Sequence, residues 1–223
     1  MAEFYLVRHG QASFGSANYD QLSDMGYQQA LWLGEHFLQQ GIEFDRVITG
    51  SMLRHEQTAH NICQGLQLDL PMDVHEGLNE FDFYALVQCY FKMFPDQQPK
   101  EEKSRTYFFK VLKAALLLWS KGELQGALPE TFIQFKQRVN DALAYIQDSQ
   151  AKRTLVVSSG GPISMAMCHI LDLQNEKMIQ LNMQIKNSSY SQFFYKNNTT
   201  FMAGFNATSH LEKPDRDGSI TFG

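Results

Sequence analysis

Phe4-Tyr5-Leu6-Val7-Arg8-His9-Gly10 sets a strand-forming apolar run directly against an arginine, a histidine and a glycine. The aromatic and branched residues read as a buried strand, and the abrupt change to polar groups puts Arg8 and His9 at its end. Working outward, Ser23 is placed to N-cap a helix whose apolar face is Ala30, Leu33, Phe37 and Leu38, and Gly41 stops it. Residues 44–48 read as a second strand, turning through Thr49-Gly50-Ser51 into a helix that carries Ala59 and Ile62. Residues 154–157 form a third β-branched strand, broken by Ser158-Ser159-Gly160-Gly161-Pro162 before a helix through Ile170. Residues 191–195 and 201–205 read as strands, and the tail after His210 as surface loop.

Between these units, residues 84–150 are read as an α-helical cap insertion, with a charged patch at 100–105 and an apolar face at 111–119. Alternating strands and helices predict an α/β fold, a three-layer α/β/α sandwich around a mainly parallel sheet, with residues 1–223 as one domain. In such sheets ligands bind beyond the carboxyl ends of strands, which pools residues 8–10, 49–54 and 158–161 in one candidate site, with the loop residue Glu80 near them.

Composition narrows the function. The 223 residues are 43% hydrophobic and 19% charged, as expected of a folded domain. Nineteen Lys and Arg against 24 Asp and Glu give a net charge of −5, so no global positive field holds a nucleic-acid backbone. A small anion would need local cations. No apolar run approaches bilayer length, and the first residues lack a basic segment followed by an apolar one, so a soluble cytoplasmic protein without membrane partners is expected. Cys63, Cys89 and Cys168 are widely spaced and read as reduced thiols. His55 and His60 are five apart, one too many for the HExxH zinc helix, so no metal is assigned. The chain lacks GxxxxGK[ST], GxGxxG and GxSxG. The aromatic residues Phe81, Phe83, Tyr84, Tyr90, Phe91 and Phe94, with those at 107–109, are read as cap core in preference to a substrate mouth.

An imidazole beside a guanidinium, a second arginine on the first turn of a helix, and hydroxyl and glycine residues before another helix suit a phosphoryl group and an in-line nucleophile. In order along the chain, Leu6-Val7-Arg8-His9-Gly10-Gln11, Leu22-Ser23-Asp24-Met25-Gly26 with Gln29-Ala30, Ser51-Met52-Leu53-Arg54 with Gln57-Thr58-Ala59, Leu78-Asn79-Glu80 and the glycine segment at 156–163 resemble the histidine phosphatase superfamily, also called phosphoglycerate-mutase-like. The resemblance implies that His9 is the nucleophile, that Glu80 is the general acid and base, and that Arg8, Arg54, Ser159 and Gly160 bind phosphate. Gln11 and His210 are further candidates for the same site. It implies no cofactor and no metal, with a small phosphorylated substrate as partner and homodimerisation left open.

One departure stands out. The family usually has a second histidine directly before the Gly-Gly pair, where this chain has Ser159, and a hydroxyl cannot supply imidazolium charge. The leading reading is a metal-independent phosphatase acting on a small phosphomonoester. A phosphoglycerate-mutase-type phosphotransferase and a phospholigand-binding pseudoenzyme weakened at Ser159 remain as alternatives.

Overall fold

In the computed structural model, which describes residues 1–13, 20–99, 105–148, 150–197 and 199–222, strand β1 (Ala2–Arg8) sends alternate side chains into two separate cores. Phe4 and Leu6 enter one with Ile48 and Val156; Tyr5 and Val7 enter the other with Val47, Leu155 and Val157. This period-two alternation makes β1 a central strand covered on both faces. It pairs in parallel with β4 (Arg153–Ser158) and antiparallel with β5 (Tyr190–Lys196). With β2 (Arg46–Thr49), β3 (Met72–Val74) and β6 (Thr199–Ala207) the sheet runs β3-β2-β4-β1-β5-β6. Its first four strands are mutually parallel, and β5 and β6 add an antiparallel edge.

On the Tyr5 face lie α1 (Asp24–Gln39) and α2 (Leu53–Leu66), contributing Ala30, Leu33, Phe37, Ala59 and Ile62. Ser23 caps α1 by accepting from the Gly26 amide at 3.1 Å. Leu38 is 45% exposed, because it sits about 100° around the helix from Phe37 and off the buried stripe. Gly10 and Gly26 let α1 meet the end of β1: a Cβ on Gly10 would stand 2.4 Å from the Gly26 carbonyl oxygen.

The opposite face is covered by α5 (Phe132–Gln147) and α6 (Gly160–Ile170), which bury Phe135, Val139, Ala142 and Ile163 against Phe4 and Leu6. A Thr131–Gln134 capping box starts α5. Helices α3 (Phe83–Met93) and α4 (Arg105–Ser120) pack on each other and join this core through Leu86, Leu116 and Trp119. Residues 100–104 of the expected charged patch lie outside the described residues. The short α7 (Lys177–Asn182) packs against α6.

After the Thr49-Gly50-Ser51 turn, helix α2 begins at Leu53 with Met52 at its cap. Strand β3 is an addition to the strands read from sequence: its three residues are too few to show a period, and Val74 among them is exposed. One expectation changes. The tail after His210 is packed rather than loose: Leu211 and Ser219 are buried, Gln29 Nε2 donates to the Ser219 carbonyl at 2.7 Å, and the Asn187 amide donates to that of Thr221 at 2.9 Å. Side-chain and main-chain partners on α1 and before β5 therefore satisfy the tail's backbone. Among the described residues no helix is long and apolar enough to cross a membrane.

Candidate active site

Strand β1 ends in a clamp. The His9 amide donates to the Ser158 carbonyl at 2.9 Å, and the His9 carbonyl accepts from the Ser188 amide at 3.2 Å and from Asn187 Nδ2 at 3.3 Å. The imidazole is nearly sealed from solvent, with Nδ1 2.7 Å from the Gly10 carbonyl oxygen. A carbonyl only accepts, so Nδ1 carries the proton and Nε2 keeps its lone pair. Arg54 Nε meets that Nε2 at 3.2 Å. Burial first, then the charges of Arg54 and Arg8 and the neighbouring His55, hold the His9 pKa well below the ordinary imidazole value. The ring is therefore neutral and nucleophilic at physiological pH.

Arg54 is the second residue of α2 and is buried. Its Nη1 forms a 2.6 Å ion pair with Asp20, whose other oxygen accepts from the Leu53 amide at 2.9 Å. Asp20 thus caps the start of α2 and fixes the guanidinium plane. Arg8 is also buried and donates to the Ile185 carbonyl.

Glu80 lies in the half-buried loop before α3. Its carboxyl accepts from the Gly161 amide at 3.1 Å and the Phe81 amide at 3.2 Å. Burial of the carboxyl raises its pKa above the ordinary value, against the opposing pull of the Gly161 amide, Arg54, Arg8 and the Phe81 amide. The loop is pinned from three sides. Ser158 Oγ donates to the Leu78 carbonyl at 2.7 Å, Asn79 exchanges hydrogen bonds with Ser51, and Arg138 Nη1 donates to the Asn79 carbonyl at 2.7 Å. Glu130 holds Arg138 in turn through an ion pair at 2.7 Å.

Arg8, His9, Gln11, Arg54 and Glu80 all line one cavity of about 470 Å³. Ser159 and Gly160 do not: they lie one layer beneath, with Ser159 Oγ 3.5 Å from Arg54 Nη2. His210 is turned away from the cavity, with Nε2 2.7 Å from Ser188 Oγ beside His36 and Tyr190. It supports the Ser188 turn, where φ is +52°, behind His9. The rest of the wall includes Phe81, Phe83, Phe108 and Phe109, so four of the nine aromatic residues assigned to cap core face the cavity as well as packing in or against that core.

The site also contains an imidazole that motif reading set aside. His55 is fully buried, its ring centre is 5.7 Å from that of His9, and its Nε2 is 2.6 Å from Ser159 Oγ. Its Nδ1 has no hydrogen-bond partner among the described residues. An orphaned buried N–H is rarer than an orphaned acceptor, which favours the tautomer with Nε2–H donating to Ser159 Oγ. The serine oxygen then accepts from His55 Nε2–H and, at 3.5 Å, from Arg54 Nη2. Burial and then the Arg54 charge keep this imidazole neutral. The signal was present in the sequence as periodicity: His55, Thr58, Ala59 and Ile62 fall on one helix stripe, so a buried and partnered His55 follows from Ala59 and Ile62 being core. Asp20, Arg138 and Phe222 carried no comparable signal, since each acts through a contact 34 or more residues away or through the tail.

The model of the histidine phosphatase superfamily, branch 1, matches residues 4–208. A 2,3-bisphosphoglycerate-dependent phosphoglycerate mutase from Bartonella quintana (strain Toulouse) is 31% identical over 85 residues, 35% of this chain. That match spans only 41% of the relative's length. Among solved structures, Bacillus stearothermophilus YhfR superposes with a TM-score of 0.70 at 20% identity, covering 95% of this chain and 100% of that one. The alpha-ribazole phosphatase from Shigella flexneri gives 0.62 at 22% identity, covering 92% and 96%. At these identities the structural likeness establishes the fold.

Proposed function

The chain belongs to the histidine phosphatase superfamily, and from that premise we propose that it hydrolyses a phosphomonoester without a metal, through a phosphohistidine on His9. The observation that carries this reading is the neutral His9 ring, with its Nε2 lone pair held by Arg54 inside a cavity that Glu80 also lines. Nε2 attacks phosphorus while Arg8 and Arg54 hold the non-bridging oxygens, and the ester P–O bond breaks. Glu80, protonated in its buried seat, gives its proton to the leaving alkoxide. The phosphoimidazolium keeps its Nδ1–H on the Gly10 carbonyl. Glu80, now a carboxylate, takes a proton from water as the water oxygen bonds to phosphorus and the P–N bond breaks. Inorganic phosphate leaves, and both residues return to their starting states.

Two observations weigh against the alternatives. A mutase acting on phosphoglycerate needs a cation for the carboxylate, and among the described residues the cavity wall supplies Arg8 and Arg54 alone. A binding-only role was motivated by Ser159, yet His55 brings an imidazole to that serine.

The test is hydrolysis of p-nitrophenyl phosphate in EDTA by wild type and His9→Ala, together with acid-quench trapping of phosphoenzyme. The expected result is EDTA-resistant turnover and an acid-labile phosphoenzyme, both absent from the variant. Retention of more than a few per cent of activity in His9→Ala would refute the phosphohistidine route.

A further inference from the structure

We propose that this cavity selects phosphomonoesters of uncharged apolar alcohols, aryl alcohols above all, and discriminates against those whose alcohol part carries a second anionic group. The inference rests on the phosphatase reading above and names its substrate class.

The charges of the wall are concentrated at one end. Arg8, Arg54 and Glu80 are its charged residues among those described, and they act on one another and on His9, which binds Arg54 directly. A bound phosphate engages both guanidiniums there. Elsewhere the chain delivers large apolar side chains from four separate segments: Phe83 from the start of α3, Phe108 and Leu112 from α4, Met183 from the end of α7, and Phe222 from the tail. Phe83 meets Phe108 nearly edge-on, with ring centres 6.1 Å apart and planes at 84°. A wall of aromatic edges and faces favours a ring seated against it.

The neutral polar groups on the wall do not replace a missing cation. Asn187 spends its amide on the His9 carbonyl and its oxygen on Thr221, and the amides of Gln11 and Asn182 are uncharged donors, weaker partners for an anion than a cation. A carboxylate or second phosphate on the alcohol would lose its water without gaining a charged partner among the described wall residues. At about 470 Å³ the cavity is within the range of small-molecule sites and has room for a bicyclic ring beside the phosphate.

Calorimetric binding to the His9→Ala protein separates this inference from the question of turnover, because it needs no chemistry. The probes are 1-naphthyl phosphate, phosphoserine and 3-phosphoglycerate. Naphthyl phosphate is expected to bind at least tenfold more tightly than either carboxylated ester. Adding Met183→Lys, at a half-buried wall position, is expected to narrow that gap by bringing in a cation. Equal affinities, a preference for the carboxylated esters, or no detectable binding of any probe would overturn the class assignment. If the naphthyl preference holds while wild type releases phosphate from none of the three esters, the class stands and the phosphatase reading fails.

Discussion

Gly161→Ala displaces Glu80, the proposed general acid, without altering it. Gly161 is the second residue of α6 in ordinary helical backbone, so alanine there is conformationally acceptable and slightly favours the helix. Space is the difficulty, since the added Cβ would stand 2.1 Å from Glu80 Oε1 and 2.4 Å from Phe81 Cε1. Reaching an ordinary contact requires the carboxyl to retreat by about 1.3 Å, a misplacement of the size that costs about 100-fold in rate when catalytic geometry is tight. The retreat also stretches the 3.1 Å bond from the Gly161 amide that seats the carboxylate. The loss should depend on the leaving group. An alkyl alkoxide needs a proton as the P–O bond breaks, whereas p-nitrophenolate leaves readily without one. We expect kcat/KM, which reports the steps up to loss of the alcohol and leaves out phosphoenzyme hydrolysis, to fall about 100-fold on 1-naphthylmethyl phosphate and less than about tenfold on p-nitrophenyl phosphate. Thermal melting and circular dichroism establish that the variant is folded. Equal losses on both substrates, or none on the alkyl ester, would refute the placement of Glu80 as proton donor.

Three other outcomes are expected. The proposed mechanism needs neutral His9, whose pKa is lowered, and protonated Glu80, whose pKa is raised, so kcat/KM should be greatest on the acid side of neutrality and decline as Glu80 ionises; Glu80→Gln should remove that alkaline decline in a pH–rate profile. Burial, with His36, Arg216 and Lys213 nearby, holds His210 at about 3 against an ordinary 6.5. The unfolded chain therefore binds the extra proton, and stability present above pH 6.5 is lost as pH falls toward 3. Urea unfolding at pH 7.5 and pH 5 should show about 2 kcal/mol more acid loss in wild type than in His210→Gln. Ser159→His should overpack a fully buried position 2.6 Å from His55, costing about 1–3 kcal/mol, while His55→Ala/Ser159→His should recover both stability and kcat; additive losses in the double-mutant cycle would contradict this.

Much of the sheet was legible because its signal is local. Four residues of β1 alternate between two cores and end on Arg8, and the β-branched run before Ser158 does the same for β4. The N-cap at Ser23 and the stop at Gly41, where φ is +67°, likewise depend on neighbours a few residues away. What the sequence could not display are contacts between distant segments. Asp20 orients Arg54 across 34 residues, and Arg138 holds the Glu80 loop across 59. Most of the cap aromatics do pack in or against the core, and that four of them also face a cavity was hidden for a physical reason: a ring in a cavity wall and a ring in a core have the same hydrophobic pattern, and only the space left between α3, α4 and the tail distinguishes them.

Ser159 shows why a missing motif residue is not the same as a missing interaction. From sequence, serine in place of histidine removes an imidazole beside Arg54 and weakens the site. In the fold, the next residue after Arg54 is His55, and one helical step swings its ring to within 2.6 Å of that serine. Gly50 makes the room, since a Cβ there would stand 2.3 Å from His55 Nδ1. A small residue at 159 and a large one at 55 occupy one shared volume, so each is readable only through the other. The serine oxygen accepts from His55 on one side and from Arg54 Nη2 at 3.5 Å on the other, so from beneath the cavity it ties the imidazole to the guanidinium that reaches His9. Serine at 159 without His55 would lose one anchor of that tie, and the two residues are therefore expected to matter as a pair.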